Sequence, residues 1–583
     1  MRDEGAEREV VRRRWRWLGV AVVLPVILIS IGIVARWRVG LRKDESKVEI
    51  ADVSSVRLLG LGSVVGYAAP YETHAWLGIP YAAPPVGALR WRAPTPPEAW
   101  ADTLDALTAG SPCVQLESRL GGVATEDPDG IAGSEDCLYL NVWAPRMDPD
   151  EMAVERARLP VMVWIHGGGN TVGHGGAAMY DGARLAGTQE VVVVSFNYRL
   201  GPFGWFSHPA LRALAASPEE ASGNFGTLDQ IRALEWVRSN IREFGGDPDN
   251  VTIFGESAGA TDVLSLLVSA PAKGLFHRAI AQSGSTRSVS RAAAENALDA
   301  PVPGRPHGSA EIVASLLERA GIVPDREAAR RYAEDLPEAD LADFLRGRSA
   351  RELIEAFRDP DRPETIAAPM LIRDGSVLPE DDWLDAFRAG RFHPVPVILG
   401  SNRDEMKLFL SQDPRFVRRR FRFLYGIRDP RDYARKARIE SDRWRDRAVR
   451  NPAAAMTASG HADVFAYRFD WDELPRFLGV DFADLLGAAH GFEIPFVFGN
   501  FTLGDPILDR ILFVDETRET REALSDRMRN YWARFARRGR PGRGGSAELP
   551  EWEPWAASDD SKGRSTFLVF DSESDGGIRL VRE

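Results

Sequence analysis

Cysteine is nearly absent from this 583-residue chain. Two residues, Cys113 and Cys137, are too few for a cysteine-rich zinc site. A basic excess is missing as well. The 73 Lys and Arg residues are outnumbered by 85 Asp and Glu, a formal net charge of −12, which argues against a phosphate-binding face and so against nucleic acid as a partner. No internal repeat is visible. What remains, 44% hydrophobic and 27% charged residues, is an ordinary globular composition with enough apolar surface for a large core.

A long charge-free apolar run stands out at the amino-terminal end: "LGVAVVLPVILISIGIVA", residues 18–35, between "VRRRWRW" and Arg36 and Arg38. As a helix, 17–35 would extend about 28 Å at ~1.5 Å per residue, close to the ~30 Å hydrocarbon core. Trp15, Trp17 and Trp37 stand at interfacial depth. A cleaved signal peptide is the alternative, but the run is long and its end, "GIVARW", lacks a small-x-small cleavage site. The expected organisation is a cytoplasmic tail (1–16), a transmembrane anchor (17–35), a charged linker (36–55) and one large domain (56–583). If the two cysteines pair, the bridge closes a loop of about 25 residues, worth ~3.5 kcal/mol in the chain-entropy model. It would also require an oxidising compartment, placing the large domain on the extracytoplasmic side of the membrane.

Within that domain, "VRLLGLGSVVGY" reads as a β-hairpin. "PVMVWIH" (160–166), "VVVVSFNY" (191–198), "VTIFG" (251–255), "RAIAQSG" and "PVPVILGS" (394–401) are short β-branched runs suited to strands buried on both faces. "LDQIRALEWVRSNIREFGG" has helical spacing and a glycine stop. This alternation predicts an α/β fold: a large, mostly parallel central sheet with helices on both faces. Residues 285–310 and 540–550 read as loop-like insertions.

The chemistry starts at "GESAG", 255–259. A serine between two glycines, directly after a buried strand, fits a sharp strand-to-helix turn that lifts a hydroxyl out of the sheet. Such a nucleophile requires a base, an orienting carboxylate and donors for an oxyanion. "IHGGGN" (165–170) follows another buried strand, and Gly168, Gly169 and Ala258 are the candidate backbone donors. Of the nine histidines, His166 is fixed in the glycine loop and reads as structural. His490, in "GAAHGFEIPFVFG", lies far downstream of Ser257, where a Ser–acid–His chain order puts the base. "SNRDE" offers Asp404 or Glu405 as the acid between them.

In this combination and order, "GIPYAAPPVGALRW", "SEDCLYLNVW", "HGGGN", "NYRLGPFGWF", "FGESAGA", "FHRAIAQSGS", "SNRDE" and "HGFEIPFVFG" resemble the type-B carboxylesterase/cholinesterase family of α/β-hydrolases, from about Val56 to near the carboxyl terminus. The resemblance implies Ser257 as nucleophile, His490 as base and Glu405, rather than Asp404, as acid. It also implies a Cys113–Cys137 disulfide and an Arg90–Glu135 ion pair. The expected activity is hydrolysis of a small ester through an acyl-enzyme, with no cofactor and no metal. An amidase, thioesterase or lipase would use the same three residues, and a non-catalytic adhesion ectodomain is the rival from another class. Two positions depart from the family pattern. Asn170 replaces the usual aromatic and Met406 the usual glycine, and both are expected to line or back the acyl side. No aromatic residue occurs in 114–136, so the cation–π contact that would mark a choline esterase is missing.

Overall fold

The computed structural model describes residues 49–583, apart from 119–120, 148–157, 360–361, 421–423 and 556–564. The expected anchor at 17–35 lies outside the described residues. Among these, no helix is long and apolar enough to cross a membrane.

An eleven-stranded sheet organises the fold. Its strands are β1 (Tyr67–Ala69), β2 (Thr73–Pro80), β3 (Tyr139–Pro145), β4 (Leu159–Ile165), β5 (Val192–Phe196), β6 (Gly246–Glu256), β7 (Arg278–Gln282), β8 (Val397–Asn402), β9 (Val464–Phe469), β10 (Thr566–Phe570) and β11 (Arg579–Arg582). They lie in the order β11-β10-β9-β8-β7-β6-β4-β5-β3-β2-β1. From β10 through β5 every neighbour is parallel; the strands outside that block pair antiparallel.

The β-branched runs form central strands because both of their faces are covered. Val161, Val163 and Ile165 of β4 belong to one apolar cluster, Met162 and Trp164 to another on the opposite face, as a two-residue side-chain period requires. Helices α1 (Phe225–Asn240) and α2 (Ala258–Val268) contribute Leu234, Val237, Val263 and Leu266 to the first cluster. Three further helices are α3 (Glu405–Gln412), α4 (Pro430–Arg445) and α5 (Arg518–Arg538), the last packing Met528, Trp532 and Phe535 into the second cluster.

Two expectations change. The stretch 285–310 is not simply loop: Arg291–Glu295 is helical, with the Ser290 side chain accepting from Ala293 N–H as its N-cap, and Ser309 opens another helix. Packing also begins before residue 56. Ser55 is fully buried, its hydroxyl accepts from Gly66 N–H at 2.8 Å, and its carbonyl accepts from the Trp76 indole at 2.8 Å. The predicted hairpin at 57–65 forms, with Arg57 opposite Val64 and Leu59 opposite Gly62.

Candidate active site

Parallel strands end on one rim, and the site residues stand where β4, β6, β7 and β8 end there. Register fixes the alignment: Gly255 lies opposite Ile165 on β4 and Ala281 on β7, and Gln282 lies opposite Gly400 on β8. Open parallel sheets bind ligands beyond the carboxyl ends of their strands.

Ser257 occupies the turn from β6 into α2, half-buried, with φ 57° and ψ −118°. That backbone region is costly for a residue with a Cβ, on the order of 1–3 kcal/mol, and persists only where the surroundings enforce it. The flanking glycines show what enforces it. A Cβ on Gly255 would sit 2.6 Å from Ile165 O, and one on Gly259 2.0 Å from the same oxygen. The two glycines therefore let the turn press against the end of β4.

Beyond β4 runs the loop 166–170. A Cβ on Gly167 would meet the Ser257 Cβ at 3.2 Å, so the loop passes directly beside the serine. Gly168 has φ 99° and its carbonyl accepts from Thr171 and Val172 N–H, both at 3.1 Å. The N–H groups of Gly168, Gly169 and Ala258 donate to no group among the described residues. His166 is buried and stacked on Tyr198 at 4.4 Å; burial pulls its imidazole down to about 4, so it is neutral.

His490 Nδ1 lies 2.6 Å from Glu405 Oε2. Glu405 is fully buried, and its other oxygen accepts from Asn402 N–H at 2.7 Å and from the Ser283 hydroxyl at 2.6 Å. Asp404, one residue earlier, turns elsewhere: it pairs with Arg403 at 2.9 Å and accepts from Ala488 N–H at 3.3 Å. Asp404 thus anchors the segment leading to His490, while Glu405 meets the imidazole.

The other ring nitrogen faces a second carboxyl. His490 Nε2 lies 3.2 Å from Glu256 Oε1 without hydrogen-bond alignment, and neither atom has another partner among the described residues. Burial pushes Glu256 up to about 8, with the charges of Glu493 and Glu405 adding and His490 opposing. Glu493, held by Asn402 Nδ2 at 2.6 Å, is pushed up to about 7 by burial and by Glu405. Burial pulls His490 down, but the carboxylates of Glu256 and Glu405 outweigh it and raise the imidazole to about 9. Glu256 raises the imidazole only as a carboxylate, and His490 opposes the rise of Glu256 only as an imidazolium, so the two titrate as a pair. Trp444, 4.8 Å from the ring, and Phe409, at 5.3 Å, cover the imidazole.

Around the rim, Cys113 and Cys137 are joined in a disulfide with Cα atoms 5.0 Å apart. Arg90 pairs with Glu135 through two hydrogen bonds, at 2.7 and 2.5 Å. Gln115, inside the disulfide loop, accepts from Gly173 N–H at 2.8 Å and donates to Gly173 O at 2.9 Å. A Cβ on Gly173 would strike His166 Nδ1 at 2.4 Å, so this loop buttresses the glycine loop. Asn170, expected to line or back the acyl side, is turned into the scaffold. It is buried and hydrogen-bonded to Asp262 at 3.1 Å. Met406 is half-buried against the second apolar cluster.

Sequence reading missed Ser283, Asn402, Glu493 and Asp262. Glu256 and Glu493 stood inside the quoted motifs, but nothing local distinguishes a buried glutamate from an exposed one. Among the described residues no cluster of His, Cys, Asp and Glu is arranged to hold a metal ion.

Comparison with known proteins matches residues 49–418 and 411–570 to the model of the carboxylesterase family. The para-nitrobenzyl esterase of Bacillus subtilis is 37% identical over 86% of this chain and 91% of its own length. The fumonisin B1 esterase of Sphingopyxis macrogoltabida is 35% identical over 91% and 88%. Among solved structures, a PNB esterase superposes with a TM-score of 0.66 at 31% identity, covering 91% of this chain and 97% of its own. A Geobacillus stearothermophilus carboxylesterase gives 0.66 at 30% identity, covering 91% and 98%.

Proposed function

Because the chain belongs to the carboxylesterase family and has its α/β-hydrolase-like fold, we propose that it hydrolyses carboxylic esters through an acyl-enzyme on Ser257, with His490 and Glu405 completing the catalytic triad. The observation that carries this reading is the bond from His490 Nδ1 to a Glu405 carboxylate fixed by two further donors. That bond sets the tautomer, leaving Nε2 as the base.

In this mechanism Nε2 turns from Glu256 to the Ser257 hydroxyl and takes its proton as Oγ attacks the ester carbonyl. Glu405 stabilises the imidazolium that results. The N–H groups of Gly168, Gly169 and Ala258 receive the tetrahedral oxyanion, each such donor being worth about 3 kcal/mol in the transition state. His490 returns the proton to the departing alcohol, and water, deprotonated by the same imidazole, releases the acid.

The amino-terminal run 17–35 is read as a membrane anchor with the catalytic domain on the extracytoplasmic side. What supports this is its apolar length and a disulfide suited to an oxidising compartment. Protease accessibility on intact cells checks it, and cytoplasmic exposure of residues 56–583 would reject it.

The relatives are named for para-nitrobenzyl esters and fumonisin B1, so a panel of aryl and alkyl esters is the first substrate screen. Thioesters and anilides in the same panel separate thioesterase and amidase activity. With p-nitrophenyl acetate the protein is expected to show a burst of about one product per chain, lost in Ser257→Ala. Full turnover by that variant would reject the assignment. A wild-type chain without turnover on any ester would favour a binding ectodomain instead.

A further inference from the structure

Under the glycine loop lies a buried polar assembly that the triad chemistry does not use. Asp262, on α2 five residues past the serine, is fully buried. Its Oδ1 accepts from Asn170 Nδ2 at 3.1 Å and its Oδ2 from Gln230 Nε2, on α1, at 2.8 Å. Burial pushes this carboxyl up to about 7, with the bonds from Asn170 and Gln230 opposing. A carboxyl in an apolar core is costly unless its partners are well placed.

Asn170 directly follows Gly169 in the chain. Its φ of 57° is a left-handed conformation that Asn tolerates better than most residues. The Tyr198 hydroxyl, which donates to His166 O at 2.5 Å, lies 3.2 Å from Asn170 Oδ1. The Asn170 carbonyl accepts from Gly201 N–H at 2.7 Å. The side chain is thus engaged entirely with the scaffold.

The proposed oxyanion donors come from two separate segments: Gly168 and Gly169 from the loop, Ala258 from the first turn of α2. Stabilising one oxygen atom requires the two segments to hold a fixed separation. The Asn170–Asp262 hydrogen bond joins the residue after the loop donors to the helix that carries the third. We propose that Asn170 and Asp262 are positioning residues, tying the glycine loop to α2 so that the three N–H groups converge. This inference rests on the esterase reading above.

The test compares Asn170→Asp, Asp262→Asn, the double exchange of the two and Asn170→Gly, each normalised by active-site titration with a fluorophosphonate. Three quantities are read: kcat and KM on p-nitrophenyl acetate, and the inhibition constant of an aryl trifluoromethyl ketone, which forms a tetrahedral adduct. Asn170→Asp sets two carboxyls against each other. It should lower kcat and ketone affinity together by roughly tenfold or more, with KM within about twofold.

Asp262→Asn trades a charge-assisted bond for a neutral one and should lower kcat and ketone affinity together, by less than Asn170→Asp. Its Oδ1 still accepts from Asn170, and Gln230 Oε1, which has no partner among the described residues, can accept from the new amide. The double exchange restores a donor–acceptor pair with its direction reversed, and should recover most of the loss. Asn170→Gly, which keeps the left-handed backbone, should resemble Asn170→Asp. Wild-type kcat and ketone affinity in both Asn170 variants, or no recovery in the double exchange, would overturn the inference while leaving the esterase reading intact. Wild-type protein with no turnover and no fluorophosphonate label would bring both down.

Discussion

The two sides of the His490 imidazole present opposite electrostatic solutions. At Nδ1, Glu405 is buried but satisfied, meeting the ring, a backbone N–H and the Ser283 hydroxyl. At Nε2, Glu256 is nearly as buried, yet the oxygen facing the ring has no hydrogen bond, and burial pushes the acid up to about 8. The difference shows what each carboxyl can do. A bonded carboxylate keeps its hold on Nδ1, whereas an unbonded one can yield its place at Nε2 to an incoming hydroxyl.

The largest effect should come from the satisfied side. Glu405→Gln keeps the shape but allows the wrong tautomer, and kcat should fall by about 10³–10⁴, read from steady-state turnover. A loss under tenfold would mean that Glu405 does not orient the ring. Ser283→Ala removes one charge-assisted donor to Glu405, worth about 1.5–3 kcal/mol of stability; the carboxylate keeps its Asn402 N–H donor, so kcat should fall by less than in Glu405→Gln.

On the other side the expected effect is a shift rather than a loss. The base acts only when unprotonated, so kcat/KM rises with pH through the imidazole titration, and Glu256 helps hold that titration above its ordinary range. Glu256→Gln should move the acidic limb of the profile to lower pH, and an unmoved limb would break the comparison.

Stability gives the smallest signal. A buried acid raised to about 8 keeps its proton in the folded chain while the unfolded chain releases it above the usual glutamate range. Between those values the folded state binds more protons, so stability falls as pH rises. The imidazole, raised by the same pair, is part of this one coupled titration and carries the same sign. The melting temperature of Glu256→Gln relative to wild type should therefore be more favourable at pH 8 than at pH 5, by a few degrees. A constant difference would place the proton elsewhere.

Much of this site was legible in the sequence because its parts sit in local patterns that physics makes obligatory. The serine needs its glycines because β4 leaves no room for a Cβ, and the runs at 160–166 and 251–255 are largely apolar because both faces of the sheet are covered. Ser283 was not legible: it sits just past an ordinary strand and reaches Glu405 only because β7 and β8 lie in register. Asn170 was noticed as a departure and expected to line or back the acyl side, but its hydrogen-bond partner was not legible, since it lies 92 positions away on another element. Asp404 and Glu405 could not be separated by composition; residue 405 opens α3 with its side chain turned into the core, while residue 404, just before it, turns its carboxylate to Arg403 and Ala488 N–H.

The central claim is that Ser257 is the one nucleophile, activated by His490. Peptide mapping after fluorophosphonate treatment tests it directly. The account predicts stoichiometric label on the peptide containing Ser257, formed much more slowly in His490→Ala. Label on another residue, or equal labelling in that variant, would contradict it.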